Sequence, residues 1–233
     1  MKLAFPKIFF FDLEGTLLKK DFSLDNGKVA PSAWTVLAKA LGNDCYIEEE
    51  ATKDKWNAGH YKGYLDWMSD TVRIQKKYGL SKDVFDRVIS SAELHSGVVE
   101  VFREIRNRKS FICVISGGFK ALIDQYHPLL KPDHVFCACE YFFDSEGKLA
   151  SFNLLPTDEA GKVAFMRLVL KEHGISPRDS AFVGDGKNDV YLARETGVSI
   201  AFNAQPELRA VCDYTIDQPF GQEDFSEVLK YFD

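Results

Sequence analysis

Residues 8–16 read IFFFDLEGT, an unbroken apolar run followed at once by two carboxylates and a glycine. A run that is apolar on both faces is typical of a strand in a parallel sheet with helices on either side. Similar runs recur later in the chain, at 111–116, 135–139, 181–185 and 198–202. Amphipathic helical patterns lie among them, at 98–107 and at 162–173, where Gly174 is a C-cap signal. The alternation predicts an α/β fold with a doubly wound parallel-sheet, Rossmann-like core domain.

The region from Lys19 to His95 departs from this alternation, because it contains no convincing buried strand. Four helical patterns replace the strands, at 31–41, 48–56, 65–72 and 84–92. We therefore predict an all-helical cap domain, residues 19–95, inserted into a discontinuous core domain of residues 1–18 and 96–233. Such an insertion is well placed to cover the carboxyl ends of the strands, where open α/β sheets bind ligands.

Composition limits the possible partners of this chain. Its 233 residues carry a net charge of −6 and no local run of Lys and Arg, which argues against a nucleic-acid partner. The early apolar run 8–11 is interrupted by Asp12, far short of the roughly 18 apolar residues that a membrane span needs. It is also too short for the apolar region of a signal peptide, and no small-residue cleavage site follows it. We expect a cytoplasmic protein without a membrane partner, either a monomer or a homodimer.

Paired carboxylates follow the first predicted strand. Asp12 and Glu14 are two residues apart, so on an extended chain they point the same way, and Gly15 allows the backbone to turn. The pair suits one nucleophile and one proton carrier, or a metal site. A structural interpretation is also open, in which Asp12 merely ends the strand and caps the next segment.

Two further strand ends carry polar residues. Residues 116–119 read SGGF, and a predicted helix follows them and stops before Pro128, so backbone N–H groups and a hydroxyl could face an anion there. A tight turn with Ser116 as N-cap is the alternative. Residues 184–189 read GDGKND, which lets Asp185 and Asp189 face one point, as Mg²⁺ ligands do. A solvated acidic turn would read the same way. Lys162, taken alone, could be a surface lysine.

The conjunction of these motifs favours the functional interpretation. In chain order, DLEGT at 12–16, SGG at 116–118, Lys162 and GDGKND at 184–189 resemble the four motifs of the haloacid dehalogenase superfamily of phosphatases. The SGGF turn and the last motif are similar to its phosphoserine phosphatase branch. The resemblance implies a Mg²⁺-dependent hydrolase of a small-molecule phosphomonoester, with phosphoserine as the first substrate to consider.

The resemblance also implies a role for each matching residue. Asp12 would be the nucleophile that forms an aspartyl-phosphate, and Glu14 the general acid and base. Mg²⁺ would be held by Asp12, the Glu14 backbone carbonyl and Asp185, with Asp189 anchoring a bound water. The substrate-binding residues would be Ser116, Gly117, Lys162, Asn188 and Asp21.

This sequence departs from the family pattern at two places. The family usually has Asp where this chain has Glu14, so the proton carrier is kept but its reach changes. In the cap, phosphoserine phosphatases hold the serine with a Glu and an Arg. Asp21 could replace that Glu, but Thr71 aligns with the Arg, and Arg73 is the nearest candidate.

Other functions remain open at this stage. Phosphoryl transfer to an acceptor other than water, as in mutases of the superfamily, is a second enzymatic hypothesis. A catalytically silent domain that binds a metabolite or a protein is a third, but it would need a lost catalytic residue. The aromatic cluster of Trp56, Tyr61, Tyr64 and Trp67 fits helix packing, or contact with the substrate's organic part or a quaternary ammonium.

Overall fold

The computed structural model describes residues 2–25 and 27–233, and among these seven strands form one sheet. The strands are β1 (Ile8–Phe11), β2 (Phe111–Phe119), β3 (His134–Phe143), β4 (Leu149–Leu154), β5 (Ser180–Gly184), β6 (Val198–Phe202) and β7 (Tyr214–Ile216). Their order across the sheet is β4-β3-β2-β1-β5-β6-β7. All pairings between these strands are parallel except that of β3 with β4. The predicted doubly wound parallel sheet is therefore confirmed.

Strand β1 lies at the centre of the sheet and is completely buried. Its side chains alternate between two hydrophobic clusters, because successive residues of a strand face opposite sides. Phe9 and Phe11 belong to one cluster, and Ile8 and Phe10 belong to the other. Burial on both faces explains why the run at 8–11 is continuously apolar.

Ten α-helices accompany the strands in the described part of the chain. They are α1 (Ala33–Ala40), α2 (Asn43–Asn57), α3 (Tyr64–Lys77), α4 (Lys82–Ser90), α5 (Val98–Asn107), α6 (Lys120–Asp124), α7 (His127–Leu130), α8 (Ala160–His173), α9 (Val190–Ala193) and α10 (Pro206–Arg209). Helices α1 to α4 confirm the four predicted helical patterns of the cap. The domain boundaries at 18/19 and 95/96 stay a prediction. None of these helices has both the length and the apolar character that crossing a bilayer requires.

The structure corrects the prediction in two respects. Strands β4 and β7 were not predicted, because neither contains a buried apolar run. Strand β4 is an edge strand with mostly exposed side chains, and β7 has only three residues. The predicted turn at 116–119 begins too early: β2 continues to Phe119, and α6 begins only at Lys120. The pairing of β2 with β3 shifts register between Ser116 and Phe119, so the two glycines lie in an irregular strand end.

Candidate active site

The carboxyl ends of β2, β1 and β5 are neighbours in the sheet, and they meet below the cap helices. A cavity of about 370 Å³ lies there, between the sheet edge and α1 to α3. The predicted site residues that line it are Asp12, Glu14, Ser116, Gly117, Asp185 and Asn188. The topology thus brings together three motifs that are far apart in the sequence.

Lys162 lies behind this lining and is completely buried. Its ammonium donates hydrogen bonds to Asp12 Oδ1 at 2.5 Å and to Asp189 Oδ1 at 2.7 Å. Burial opposes its charge, but the carboxylates of Asp12 and Asp189 raise the pKa of Lys162 well above its usual value. The Lys162 ammonium therefore orients Asp12 through a direct hydrogen bond. Asp189 is buried as well and does not line the cavity.

Three carboxylates are close enough together to share one metal ion. Ligand oxygens of Asp12, Asp185 and Asp189 all lie within 4.8 Å of one another, and all three residues are buried. Burial raises the pKa of Asp185 above its usual value, and it raises the pKa of Asp189 to about 7. Carboxylate oxygens are the hard ligands that Mg²⁺ prefers. A divalent cation would also offset the burial of the three negative charges and their mutual repulsion.

Lys20 is a residue of this site that the sequence analysis missed. Its ammonium lies 2.7 Å from Asp185 Oδ2, and a Cβ at Gly15 would overlap both groups. Gly15 also has a φ of +86°, a conformation that favours glycine. Both the close approach of Lys20 to Asp185 and the backbone conformation therefore favour glycine at this position. In the sequence, Lys19 and Lys20 read as an ordinary exposed pair after the first motif.

Glu14 connects the carboxyl end of β1 to helix α1 of the cap. Its Oε2 accepts a hydrogen bond of 2.6 Å from the backbone N–H of Ala33, the first residue of α1. The N-cap residue of this helix, Ser32, forms no capping hydrogen bond through its side chain. Burial raises the pKa of Glu14 to about 7, against the opposing effects of the Ala33 N–H and Lys20. A Cβ at Gly118 would overlap Glu14 Oε1, so glycine leaves room for this carboxylate.

The irregular end of β2 after Ser116 is held by hydrogen bonds from residues of the sheet side and of the cap helices. Ser116 Oγ accepts from the Gly118 N–H at 3.0 Å, and the Thr157 hydroxyl donates to the Ser116 carbonyl at 2.7 Å. From the cap, Trp34 Nε1 and the Tyr64 hydroxyl donate to the Gly117 carbonyl, at 3.0 and 3.3 Å.

Asn188, the other substrate-binding residue predicted at this end of the cavity, is also held in place. Its amide donates to Asp158 Oδ1 at 2.6 Å. Asp158 also lines the cavity, and the sequence analysis missed it.

Asp21 lies beside the cavity that contains Asp12, in depressions that it shares with Asp185 on one side and with Glu14 on the other. Asp21 is exposed and lines two neighbouring depressions, not the cavity that contains Asp12. Thr71 is buried and donates to the Trp67 carbonyl, while Arg73 is paired with Asp70 at the surface. The cap side of the cavity is lined by other residues of α2 and α3, namely Glu49, Lys53, Trp56, Asn57, Tyr64, Trp67 and Met68.

Comparison with known proteins identifies the family. The sequence model of the haloacid dehalogenase-like hydrolase family matches residues 6–197. A phosphoserine phosphatase of Methanocaldococcus jannaschii is 27% identical over 232 residues, which are 97% of this chain and 97% of that protein. A phosphoserine phosphatase of Archaeoglobus fulgidus is 28% identical over 198 residues, 84% of this chain but 56% of that protein.

Solved structures share the architecture of this chain. A phospho-aspartyl intermediate analogue of phosphoserine phosphatase superposes with a TM-score of 0.72 at 23% identity, covering 99% of this chain and 100% of that one. Because the family model spans most of the sequence, the chain belongs to the haloacid dehalogenase-like hydrolases. The family predicted from the four motifs is confirmed, and the protein is an enzyme of the hydrolase class.

Proposed function

We propose that this protein is a Mg²⁺-dependent phosphomonoesterase that works through an aspartyl-phosphate on Asp12, with phosphoserine as the first substrate to test. One observation carries the proposal: the Asp12 carboxylate lies on the cavity floor, hydrogen-bonded to the Lys162 ammonium at 2.5 Å and close to Glu14. The names of the relatives above support the choice of phosphoserine.

In the first half-reaction a carboxylate oxygen of Asp12 attacks phosphorus, and the bond from phosphorus to the alcohol oxygen breaks. Glu14 gives its proton to the departing alkoxide, so the alcohol leaves neutral. Burial suits Glu14 to this role, because it holds the pKa of Glu14 near 7. Ser116 and the backbone N–H of Gly117 would hold the phosphoryl oxygens, and Asn188 lies within the same cavity.

In the second half-reaction the Glu14 carboxylate takes a proton from water, whose oxygen attacks phosphorus. The bond from phosphorus to Asp12 breaks, inorganic phosphate leaves, and Asp12 and Glu14 return to their starting states. Lys162 keeps Asp12 oriented through both steps, because its ammonium is fixed between Asp12 and Asp189. This arrangement is one of positioning and charge, as phosphoryl transfer requires.

Asp12, Asp185 and Asp189, with the Glu14 backbone carbonyl, would hold the magnesium ion. When bound, Mg²⁺ supplies positive charge against a repulsion of about 4 kcal/mol between two unit charges 4 Å apart at an effective dielectric of 20. The net charge of −6 supports a small-molecule substrate over a nucleic acid. We keep the predicted cytoplasmic location as part of this proposal.

Trapping the intermediate tests the proposal. The protein is mixed with Mg²⁺ and an excess of phosphoserine, quenched in acid, digested and analysed by mass spectrometry. We expect phosphate on the peptide that contains Asp12, together with release of inorganic phosphate and serine in equal amounts. Phosphate found on an added alcohol instead would indicate a transferase, and an unmodified Asp12 during turnover would refute the covalent mechanism.

A further inference from the structure

The cap side of the cavity contains a buried carboxylate for which the proposed mechanism has no use. Glu49 of α2 is only 2% exposed and lines the same cavity as Asp12. Its Oε2 has no hydrogen-bond partner among the described residues. The burial of an ionised carboxylate without a compensating partner is costly in free energy. Buried polar groups are therefore usually hydrogen-bonded, and Glu49 Oε2 needs an explanation.

The cation nearest along the helix, Lys53, does not satisfy Glu49. Its ammonium is 3.9 Å from Glu49 Oε2, beyond hydrogen-bond distance. It also donates to the Thr35 hydroxyl at 3.0 Å and forms an ion pair with Glu50. Burial raises the pKa of Glu49 to about 7; Lys53 partly opposes that rise, and the neighbouring Glu50 carboxyl group adds to it. A cation delivered by a ligand would complete the site.

Aromatic rings line the same cavity as Glu49. Trp56 and Trp67 are stacked with ring centroids 5.0 Å apart, and Tyr64 meets both rings edge-on. Trp67 is held by a 2.8 Å hydrogen bond from its Nε1 to Thr52. Trp56, Tyr64 and Trp67 are half-buried and line the cavity, so part of their surface is open to a ligand. Such rings attract cations through their electron-rich faces.

We propose that Glu49 and the rings of Trp56 and Trp67 bind an ammonium group on the alcohol portion of the phosphomonoester. The inference rests on the proposed phosphatase function, since Asp12 and Ser116 then hold the phosphate end of the same cavity. A neutral or anionic alcohol would leave Glu49 Oε2 without a charged hydrogen-bond donor, whereas an organic ammonium can contact both the carboxylate and the rings. The volume of about 370 Å³ suits a small amino-alcohol phosphate.

Substrate selectivity is the first test. Phosphoethanolamine, phosphocholine and phosphoserine are compared with glycerol 3-phosphate, which lacks the ammonium, by kcat/KM in the wild type and in Glu49→Gln. We expect Glu49→Gln to reduce the preference for the ammonium substrates roughly tenfold to hundredfold, as the loss of a charged hydrogen bond predicts. Asp54→Asn, which changes an exposed carboxylate of the same helix outside the cavity lining, is the control and should keep the preference.

The same panel identifies the source of the ammonium. A preference for phosphoserine that Lys53→Met abolishes means that Lys53 takes the amino-acid carboxylate. A preference for phosphocholine that Trp67→Leu abolishes means that the rings select N-methylated ammonium. Both results support the subsite. Equal kcat/KM for charged and neutral substrates, or a preference that survives Glu49→Gln, overturns it.

A binding measurement separates this inference from the proposed function. Tetramethylammonium should change the intrinsic tryptophan fluorescence of the wild type saturably, while neutral tert-butanol should not, and Glu49→Gln should weaken the response. Hydrolysis of an aryl phosphate, which has no ammonium, reports the phosphatase function by itself. Aryl phosphate turnover without tetramethylammonium binding refutes the subsite alone. Tetramethylammonium binding without any turnover refutes the phosphatase proposal alone.

Discussion

The ammonium of Lys162 lies 2.5 Å from Asp12 Oδ1 and 2.7 Å from Asp189 Oδ1, and its side chain is completely shielded from solvent. A single buried cation therefore joins the proposed nucleophile to the proposed metal site. The removal of such a cation leaves two buried carboxylates uncompensated, which is more damaging than the loss of any surface ion pair.

Lys162→Met should therefore destabilise the protein by about 3–5 kcal/mol and abolish turnover. Adding Asp189→Asn should restore part of the stability, because it removes one uncompensated charge, but not the activity. Urea denaturation in the absence of metal measures both effects. Lys7→Met, which breaks the exposed pair with Asp179, is the control and should have little effect. Additive losses in the double variant would contradict this account.

Asp12→Asn should abolish turnover with little change in fold, because the amide is not a competent nucleophile here. The variant keeps its size and can still accept a hydrogen bond from Lys162, so phosphate analogues should still bind. Steady-state rates with Mg²⁺, with circular dichroism as the check on folding, decide the matter. Retention of more than a small fraction of wild-type activity would exclude Asp12 as the nucleophile.

Chelation should silence the enzyme, and Mg²⁺ should restore it better than Ca²⁺, whose larger and looser coordination misplaces the attacking carboxylate. Lys20 gives this prediction a second readout, because its ammonium competes for Asp185 at 2.7 Å. Lys20→Gln should strengthen Mg²⁺ binding, measured by calorimetry and by the metal-induced rise in Tm. Weaker Mg²⁺ binding in this variant would show that Lys20 does not oppose the metal.

Glu14→Gln should impair the two half-reactions unequally. A good aryl leaving group needs little protonation, whereas hydrolysis of the intermediate always needs a base, and such help is worth roughly 100- to 10,000-fold. We expect a burst of phenol from an aryl phosphate followed by slow turnover, and a large loss on alkyl phosphates. Rapid-quench kinetics measure the burst. Small and equal losses without a burst would assign the proton carrier elsewhere.

Burial of Glu49 makes stability depend on pH. Its pKa rises from 4.5 to about 7 on folding, so its contribution to stability is fully present below about pH 4.5 and is lost as the pH rises through 7. Glu49→Gln should thus gain stability relative to the wild type, by roughly 1–3 kcal/mol, between pH 5 and pH 8. Urea unfolding at both pH values tests this, with the exposed Asp54→Asn as control. A difference that is independent of pH would mean that Glu49 is solvated.

The sequence predicted the central strands and the four cap helices because each has a complete local signal. Strand β1 is buried on both faces, so every residue from Ile8 to Phe11 had to be apolar. Helix α8 ends at Gly174, which adopts the left-handed conformation with a φ of 63°. Strand β4 was missed because an exposed edge strand has no such requirement.

The motifs that we propose to be catalytic could also be recognised in the sequence, because the proposed chemistry restricts the residue type at each strand end. It requires carboxylates at Asp12, Glu14 and Asp185, and small and polar residues at Ser116 and after it. Side-chain contacts between distant segments were not readable, since no local pattern encodes them. Only the tertiary structure joined Lys20 to Asp185, Glu14 to the first turn of α1, and Glu49 to the cavity. It likewise placed the exposed Asp21 outside the cavity that contains Asp12, because spacing along the sequence does not fix the direction of an exposed side chain.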